Sequence, residues 1–209
     1  MMANVSVIDY GVGNLLSVTR ALSKCGANVK IIKDPNSIKY ADRVVLPGVG
    51  AFGKCMEELK KREFQDPILS YIQSGKPLLG ICVGMQILHE FGEEFGYHQG
   101  LNVISGKVSE IPQPSSNKQH KIPFIGWAKI EFSGVENSFL KDIKPGSFFY
   151  FVHSFMSNPN KKDHCLASYN YNGVKVTAII GEDNVIGCQF HPEKSGQAGL
   201  DLLNTFLRL

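Results

Sequence analysis

Cys82 stands between Gly80 and Gly84 in the stretch "LLGICVGMQ", residues 78–86, where an apolar run gives way to a helical pattern. A strand, then G-x-C-x-G, then a helix has the form of a nucleophile elbow, a sharp turn that pushes its central side chain out at the carboxyl end of a sheet. Small residues two positions either side let the strand and the new helix approach closely. The helix N-terminus adds backbone N–H groups and a positive dipole end, which favour a thiolate at Cys82 and leave the Val83 N–H where an oxyanion could form. A small buried cysteine packed in a tight β-α turn fits the same stretch equally well.

A thiol nucleophile needs a base, and of six histidines His191, in "VIGCQFHPEKSG", is the best placed. Pro192 cannot donate to a ladder and biases His191 towards an extended conformation. Side chains at 191 and 193 then point the same way, so Glu193 can accept from one imidazole nitrogen while the other faces Cys82. A solvent-exposed His-Pro-Glu turn is the ordinary reading of this segment alone; paired with the elbow it reads as base and orienting carboxylate.

Two more segments could complete a site. "VVLPGVGAFG", residues 44–53, is a strand, a glycine-rich turn and a helix start, so its amides can approach a ligand without side-chain obstruction. No Lys-Ser/Thr follows with P-loop spacing, which leaves an oxyanion hole or carboxylate cradle. "FFYFVHSFM", residues 148–156, ends a strongly β-type run with His153, Ser154 and Phe155, where a parallel-type sheet presents ligand contacts. His153 by itself reads as a satisfied structural histidine. "DYGVGNLLS", residues 9–17, imitates half of a dinucleotide fingerprint, but Leu16 sits where the third glycine belongs, so Gly11 and Gly13 are assigned to a strand-to-helix turn.

The elements that must position these residues follow from patterning. Strand-like runs at 5–9, 29–33, 43–46 and up to Cys82 alternate with helical patterns at 13–24, from 51 towards 71, and through Met85, Ile87, Leu88 and Phe91. This βαβα rhythm predicts a largely parallel sheet covered by helices. After Gly100 the chain turns β-rich, with runs at 103–108, 128–132, 148–152, 165–169, 174–180 and 185–190, then a helix over 196–209. The predicted fold is α/β: one domain over 1–209 with a mixed sheet, largely parallel with an antiparallel portion, flanked by helices. The polar segment "PQPSSNKQHK", residues 112–121, reads as a surface connection.

Composition narrows the classes. With 209 residues and 43% hydrophobic content the chain can bury a sizeable core. Its net charge of +3 is spread over both halves, leaving no basic stripe for nucleic acid or a membrane surface. No apolar run approaches the roughly 20 residues of a membrane helix, and "MMANVSVIDY" lacks the regions of a signal peptide, so a cytoplasmic protein is expected. Cys25, Cys55, Cys82, Cys165 and Cys188 include no C-x-x-C pair; neither a disulfide framework nor a metal site is suggested, and no cofactor is expected.

Elbow, glycine turn and His-Pro-Glu together resemble the class I (triad-type) glutamine amidotransferases, and most closely the glutaminase subunits of imidazole glycerol phosphate synthase. The likeness extends through "VIDYGVGNLLSV", "LPGVGAFG", "GICVGMQIL", "KIPFIGW", "YFVHSF" and "QFHPEKSG" in order. It implies Cys82 as nucleophile, His191 as general base and acid, and Glu193 as the residue orienting it. Gly48, Val49 and Gly50 match the oxyanion strand, with the Val83 amide as a second donor. Gln86, His153, Ser154 and Phe155 match contacts to bound glutamine. Trp127 matches a residue packed against the synthase subunit, and an ordinary core tryptophan is the equal alternative. The resemblance further implies glutamine hydrolysis with ammonia channelled to a (β/α)8-barrel cyclase/synthase subunit in a heterodimer serving histidine biosynthesis. Phe124 and Ala128 replace the histidine and asparagine of the family's usual Pro-His-Met-Gly-Trp-Asn, and Phe155 replaces a common tyrosine. These departures bear on the partner and leave the triad intact, so a glutaminase feeding a sugar-amidating enzyme of surface polysaccharide synthesis is the second reading. A stand-alone cysteine hydrolase and a non-catalytic α/β binding module are remoter ones.

Overall fold

The computed structural model describes residues 3–114 and 120–209, so the middle of the predicted connection at 112–121 lies outside the described residues. Its first half alternates as the patterning requires: β1 (Asn4–Ile8), α1 (Leu15–Lys24), β2 (Asn28–Ile32), β3 (Val44–Gly48), α2 (Phe52–Lys61), α3 (Gln65–Gln73), β4 (Leu78–Cys82) and α4 (Val83–Gln86). The second half holds β5 (His89–Gly92), β6 (His98–Gln99), β7 (Ile104–Glu110), β8 (Phe124–Lys129), β9 (Glu131–Phe132), β10 (Phe148–His153), β11 (Phe155–Pro159), β12 (Cys165–Tyr171), β13 (Val174–Glu182), β14 (Val185–Cys188) and α5 (Gly196–Arg208).

The main sheet runs β2-β1-β3-β4-β14-β13-β12-β9. Pairings from β2 to β14 are parallel and those from β14 to β9 antiparallel. Every residue of β3 and β4 is buried, as expected for central parallel strands with both faces covered. Leu46 pairs with Gly80 and Gly48 with Cys82, so the glycine turn after β3 and the cysteine at the end of β4 emerge side by side. Parallel pairing of Cys188 with Ile81 brings the His-Pro-Glu segment to that same edge.

Three expectations need correction. The helical run from 51 to 71 is two helices, because α2 ends in a Schellman-type turn: Phe64 N–H reaches the Leu59 carbonyl, Glu63 N–H that of Lys60, and Glu63 takes a left-handed φ of 59°. Its usual glycine is absent, which hides the stop. The helix after Cys82 closes at Gln86, since the carbonyls of Ile87 and Leu88 accept from Leu101, Val103 and Ile104 instead of continuing a helical ladder, and His89 opens a strand. Finally, the second half is divided among sheets: the run at 128–132 splits, with β8 pairing β10 in a two-stranded antiparallel ribbon and β9 joining the main sheet, while β11-β7-β5-β6 forms a third sheet in which β5 and β7 run parallel.

Candidate active site

Cys82 sits at the β4–α4 junction with φ 55° and ψ −115°, a conformation that non-glycine residues rarely adopt. The flanking glycines serve a different purpose. A Cβ on Gly80 would stand 2.6 Å from the Gly84 carbonyl oxygen, and one on Gly84 would collide with the Leu46 carbonyl. Strand and helix therefore meet backbone to backbone, and this contact holds the strained turn in place.

His191 Nδ1 lies 2.8 Å from Glu193 Oε1, and both side chains are buried. Cys82 and His191 share one cavity wall, close enough for the sulfur to act on the charge of the imidazole. Burial, the largest single influence, pushes the His191 pKa down, but the contacts with Cys82 and Glu193 together outweigh it and raise the value to about 10. His191 therefore carries its proton at neutral pH. Its backbone is also pinned: the N–H donates to the Tyr150 carbonyl at 3.0 Å, and Ser195 Oγ donates to the His191 carbonyl at 2.6 Å while accepting from Tyr150 N–H at 3.0 Å.

A cavity of about 300 Å³ opens beside this pair, lined by Val49, Gly50, Cys82, Val83, Gln86, Glu94, His153, Ser154, Phe155 and His191 among others. Of the residues proposed from sequence, Gly48, Glu193 and Trp127 are not on its wall; Glu193 reaches the site only through His191. Gly48 packs against the Val83–Gly84 backbone, so its lack of a side chain serves close approach. Trp127 is 54% exposed on β8, which removes the core reading. His153 has both ring nitrogens engaged, 2.7 Å from the Phe155 carbonyl and 2.8 Å from the Tyr169 hydroxyl. Burial first, and then the charge of His191, hold its pKa down at about 4 against the Phe155 hydrogen bond, so it is a neutral brace for the strand end.

Behind the cavity wall the glycine turn is held by its carbonyls. The buried Tyr10 hydroxyl donates to the Pro47 carbonyl at 2.8 Å, and Cys55 Sγ donates to that of Val49 at 3.5 Å. Burial pushes the Cys55 thiol up to about 11 and those of Cys25, Cys165 and Cys188 upward too, which keeps these four protonated and poor nucleophiles.

Two residues escaped the sequence reading. Glu94, in the turn after β5, lines the cavity and accepts from Phe52 N–H at 2.8 Å, placing a carboxylate at the N-terminus of α2. Gln189, fully buried, reaches Cys82 Sγ with Nε2 at 3.7 Å. Glu94 gave no signal beyond lying in a polar turn; Gln189 stands two residues before His191, and its type, a polar residue in the apolar run 185–190, was the available clue. Among the described residues no group of three or more His, Cys, Asp or Glu side chains is arranged to hold a metal, and no helix is long and apolar enough to cross a membrane.

The same architecture recurs in solved structures. One titled as the structure of PurLQS from Thermotoga maritima aligns with TM-score 0.77 at 19% identity, covering 100% of this chain and 99% of that one. A putative gmp synthase subunit a from Thermoplasma acidophilum aligns with TM-score 0.69 at 22% identity, covering 100% and 94%. Residues 6–208 match the family described as Glutamine amidotransferase class-I. The chain belongs to the class I glutamine amidotransferases, enzymes that hydrolyse glutamine. Its relatives narrow the class: it is 46% identical to imidazole glycerol phosphate synthase subunit HisH 1 of Legionella pneumophila (strain Paris), over 100% of both chains, and 42% identical to subunit HisH of Geobacter metallireducens, over 98% of both.

Proposed function

We propose that this protein is the glutaminase subunit of an imidazole glycerol phosphate synthase, hydrolysing glutamine through Cys82, His191 and Glu193 and passing the ammonia to a (β/α)8-barrel cyclase subunit in histidine biosynthesis. The observation that carries the chemistry is the grouping of Cys82 and His191 on one cavity of side-chain size, with the buried Glu193 carboxylate 2.8 Å from His191 Nδ1. Full-length identity of 46% and 42% to two subunits of that synthase supports the pathway and the partner.

The Cys82 thiolate attacks the side-chain amide carbon of glutamine, with the His191 imidazolium as its counter-ion. Negative charge moves to the amide oxygen, where backbone N–H groups of Val83 and of Val49 or Gly50 meet it. His191 gives its proton to the departing nitrogen, releasing ammonia and leaving a glutamyl thioester. The now neutral imidazole takes a proton from water, whose hydroxide attacks the thioester carbon; glutamate leaves and the thiolate–imidazolium pair is restored. Glu193 holds the imidazole by Nδ1 throughout. The Glu94 carboxylate on the cavity wall suits the α-ammonium of glutamine, and the exposed Trp127, stacked edge-on to Tyr150, suits a partner surface.

The test is a glutaminase assay of the purified chain alone, with a histidine-pathway cyclase subunit and its nucleotide ligand, and with a sugar-amidating candidate. Glutamate release stimulated by the histidine-pathway subunit is expected. Stimulation by the sugar-amidating enzyme alone, or turnover of other amides without any partner, would overturn the assignment.

A further inference from the structure

Gln189 follows β14 directly, and its N–H bond to the Ala178 carbonyl at 2.9 Å fixes its backbone. Its side-chain amide lies between two polar groups far away in sequence: Nε2 is 3.7 Å from Cys82 Sγ, and Oε1 is 2.9 Å from Gln86 Nε2. Gln86 Nε2 in turn donates to the Phe155 backbone carbonyl at 3.2 Å. Both glutamines are buried, where an unmatched polar atom is expensive.

The orientation of such amides follows from their network, and here one group decides it. The Phe155 carbonyl can only accept, so Gln86 must turn its NH2 towards it. That NH2 also faces Gln189, which must answer with its oxygen. The Gln189 NH2 is thereby left facing Cys82; reversing either amide would set oxygen against oxygen or NH2 against NH2. A thiol is a weak acceptor and a thiolate a much stronger one, so a fixed N–H donor at the sulfur favours the anion.

We propose that Gln189 is a further catalytic residue, whose amide donates to the Cys82 thiolate in a direction imposed by the Phe155 carbonyl through Gln86. The sulfur then has an N–H donor in Gln189 as well as the imidazole of His191 on the same cavity wall. The relay also joins the nucleophile to the cavity wall, because Gln86 and Phe155 both line the cavity. This inference rests on the reading of Cys82 as nucleophile.

The pH dependence of alkylation by iodoacetamide tests it, with the modified cysteine located by peptide mapping. Burial raises the pKa of the other four thiols, and peptide mapping separates their reaction from that of Cys82. Gln189→Met removes the donor with little change in volume and is expected to move the alkylation midpoint up by about half a unit to one unit, the size of one lost hydrogen bond to the charged form. The rate plateau at high pH should stay within about threefold. Gln189→Glu, which sets a carboxylate against the sulfur, is expected to move the midpoint further in the same direction. Gln86→Met leaves residue 189 native but unoriented, and should give a smaller upward shift, which keeps the proposal open to test if the 189 variants fail to fold. Midpoints equal to wild type in folded variants would overturn it. Failure of the underlying reading looks different: wild-type alkylation mapping away from Cys82, with no glutamine hydrolysis.

Discussion

The carboxyl ends of β3, β4 and β14 and the ribbon of β8 and β10 lie side by side, yet they treat their side chains in opposite ways. At the strand ends Cys82, Gln86, Gln189, His191 and Glu193 are withdrawn from solvent, each tied to a neighbour by a hydrogen bond. On the ribbon, Phe149 and Phe151 are buried while Phe148, Ile125 and Trp127 present apolar surface to water, each more than half exposed. Polar groups at the strand ends are sheltered and tethered, whereas apolar groups on the ribbon are left uncovered, a distribution that suits a contact surface.

The predictions that break this contrast begin with Cys82→Ala. Glutamine hydrolysis is expected to fall by about 10⁴-fold or more, while ammonium salts still support the partner's reaction; loss of both activities in steady-state assays would mean that Cys82 does something else. Glu193→Gln removes the carboxylate from His191 and should lower kcat by roughly 10²-fold or more with KM little changed. Gly84→Ala drives a methyl into the Leu46 carbonyl and should destabilise the fold by about 1–3 kcal/mol in urea titrations. On the ribbon side, Trp127→Ala is expected to weaken binding of the cyclase subunit by about tenfold in calorimetry, yet to leave urea stability within about 0.5 kcal/mol. An equal loss of stability would place Trp127 in the fold and not at a contact.

The smallest effect concerns pH. The folded His191 value of about 10 lies above its ordinary 6.5, so the native state binds this proton more tightly than the unfolded chain does. Its stabilisation is complete below about pH 6.5 and is lost as pH rises through about 10. The stability gap between wild type and Cys82→Ala, followed by thermal melts, should narrow across that window; a gap that widens would contradict a protonated His191.

The parallel half was legible in the sequence because its signals are local. Asn14 caps α1 by accepting from Ser17 N–H, Gly26 closes it with a left-handed φ of 82°, and central strands read as unbroken apolar runs. The elbow and His-Pro-Glu were legible for the same reason. What stayed hidden depends on distant partners. Met85, Ile87, Leu88 and Phe91 have helical spacing, but the 101–104 segment captures the carbonyls that a longer helix would use. The split between β8 and β9 falls at Ile130, whose N–H turns to the Ser147 carbonyl. Glu94 and Gln189 have roles only because the chain returns to Phe52 and Cys82 over gaps of 42 and 107 residues, and no periodicity encodes such a meeting.

Tyr150 belongs to both regions. Its ring carries the Trp127 contact on the ribbon, while its carbonyl and N–H hold the His191–Ser195 segment. Pressure applied by a neighbouring molecule to the outer face thus needs no long wire to reach His191. The same residue is handle and hinge-pin, so a body seated on the tryptophan bears, at one remove, on the aim of the imidazole.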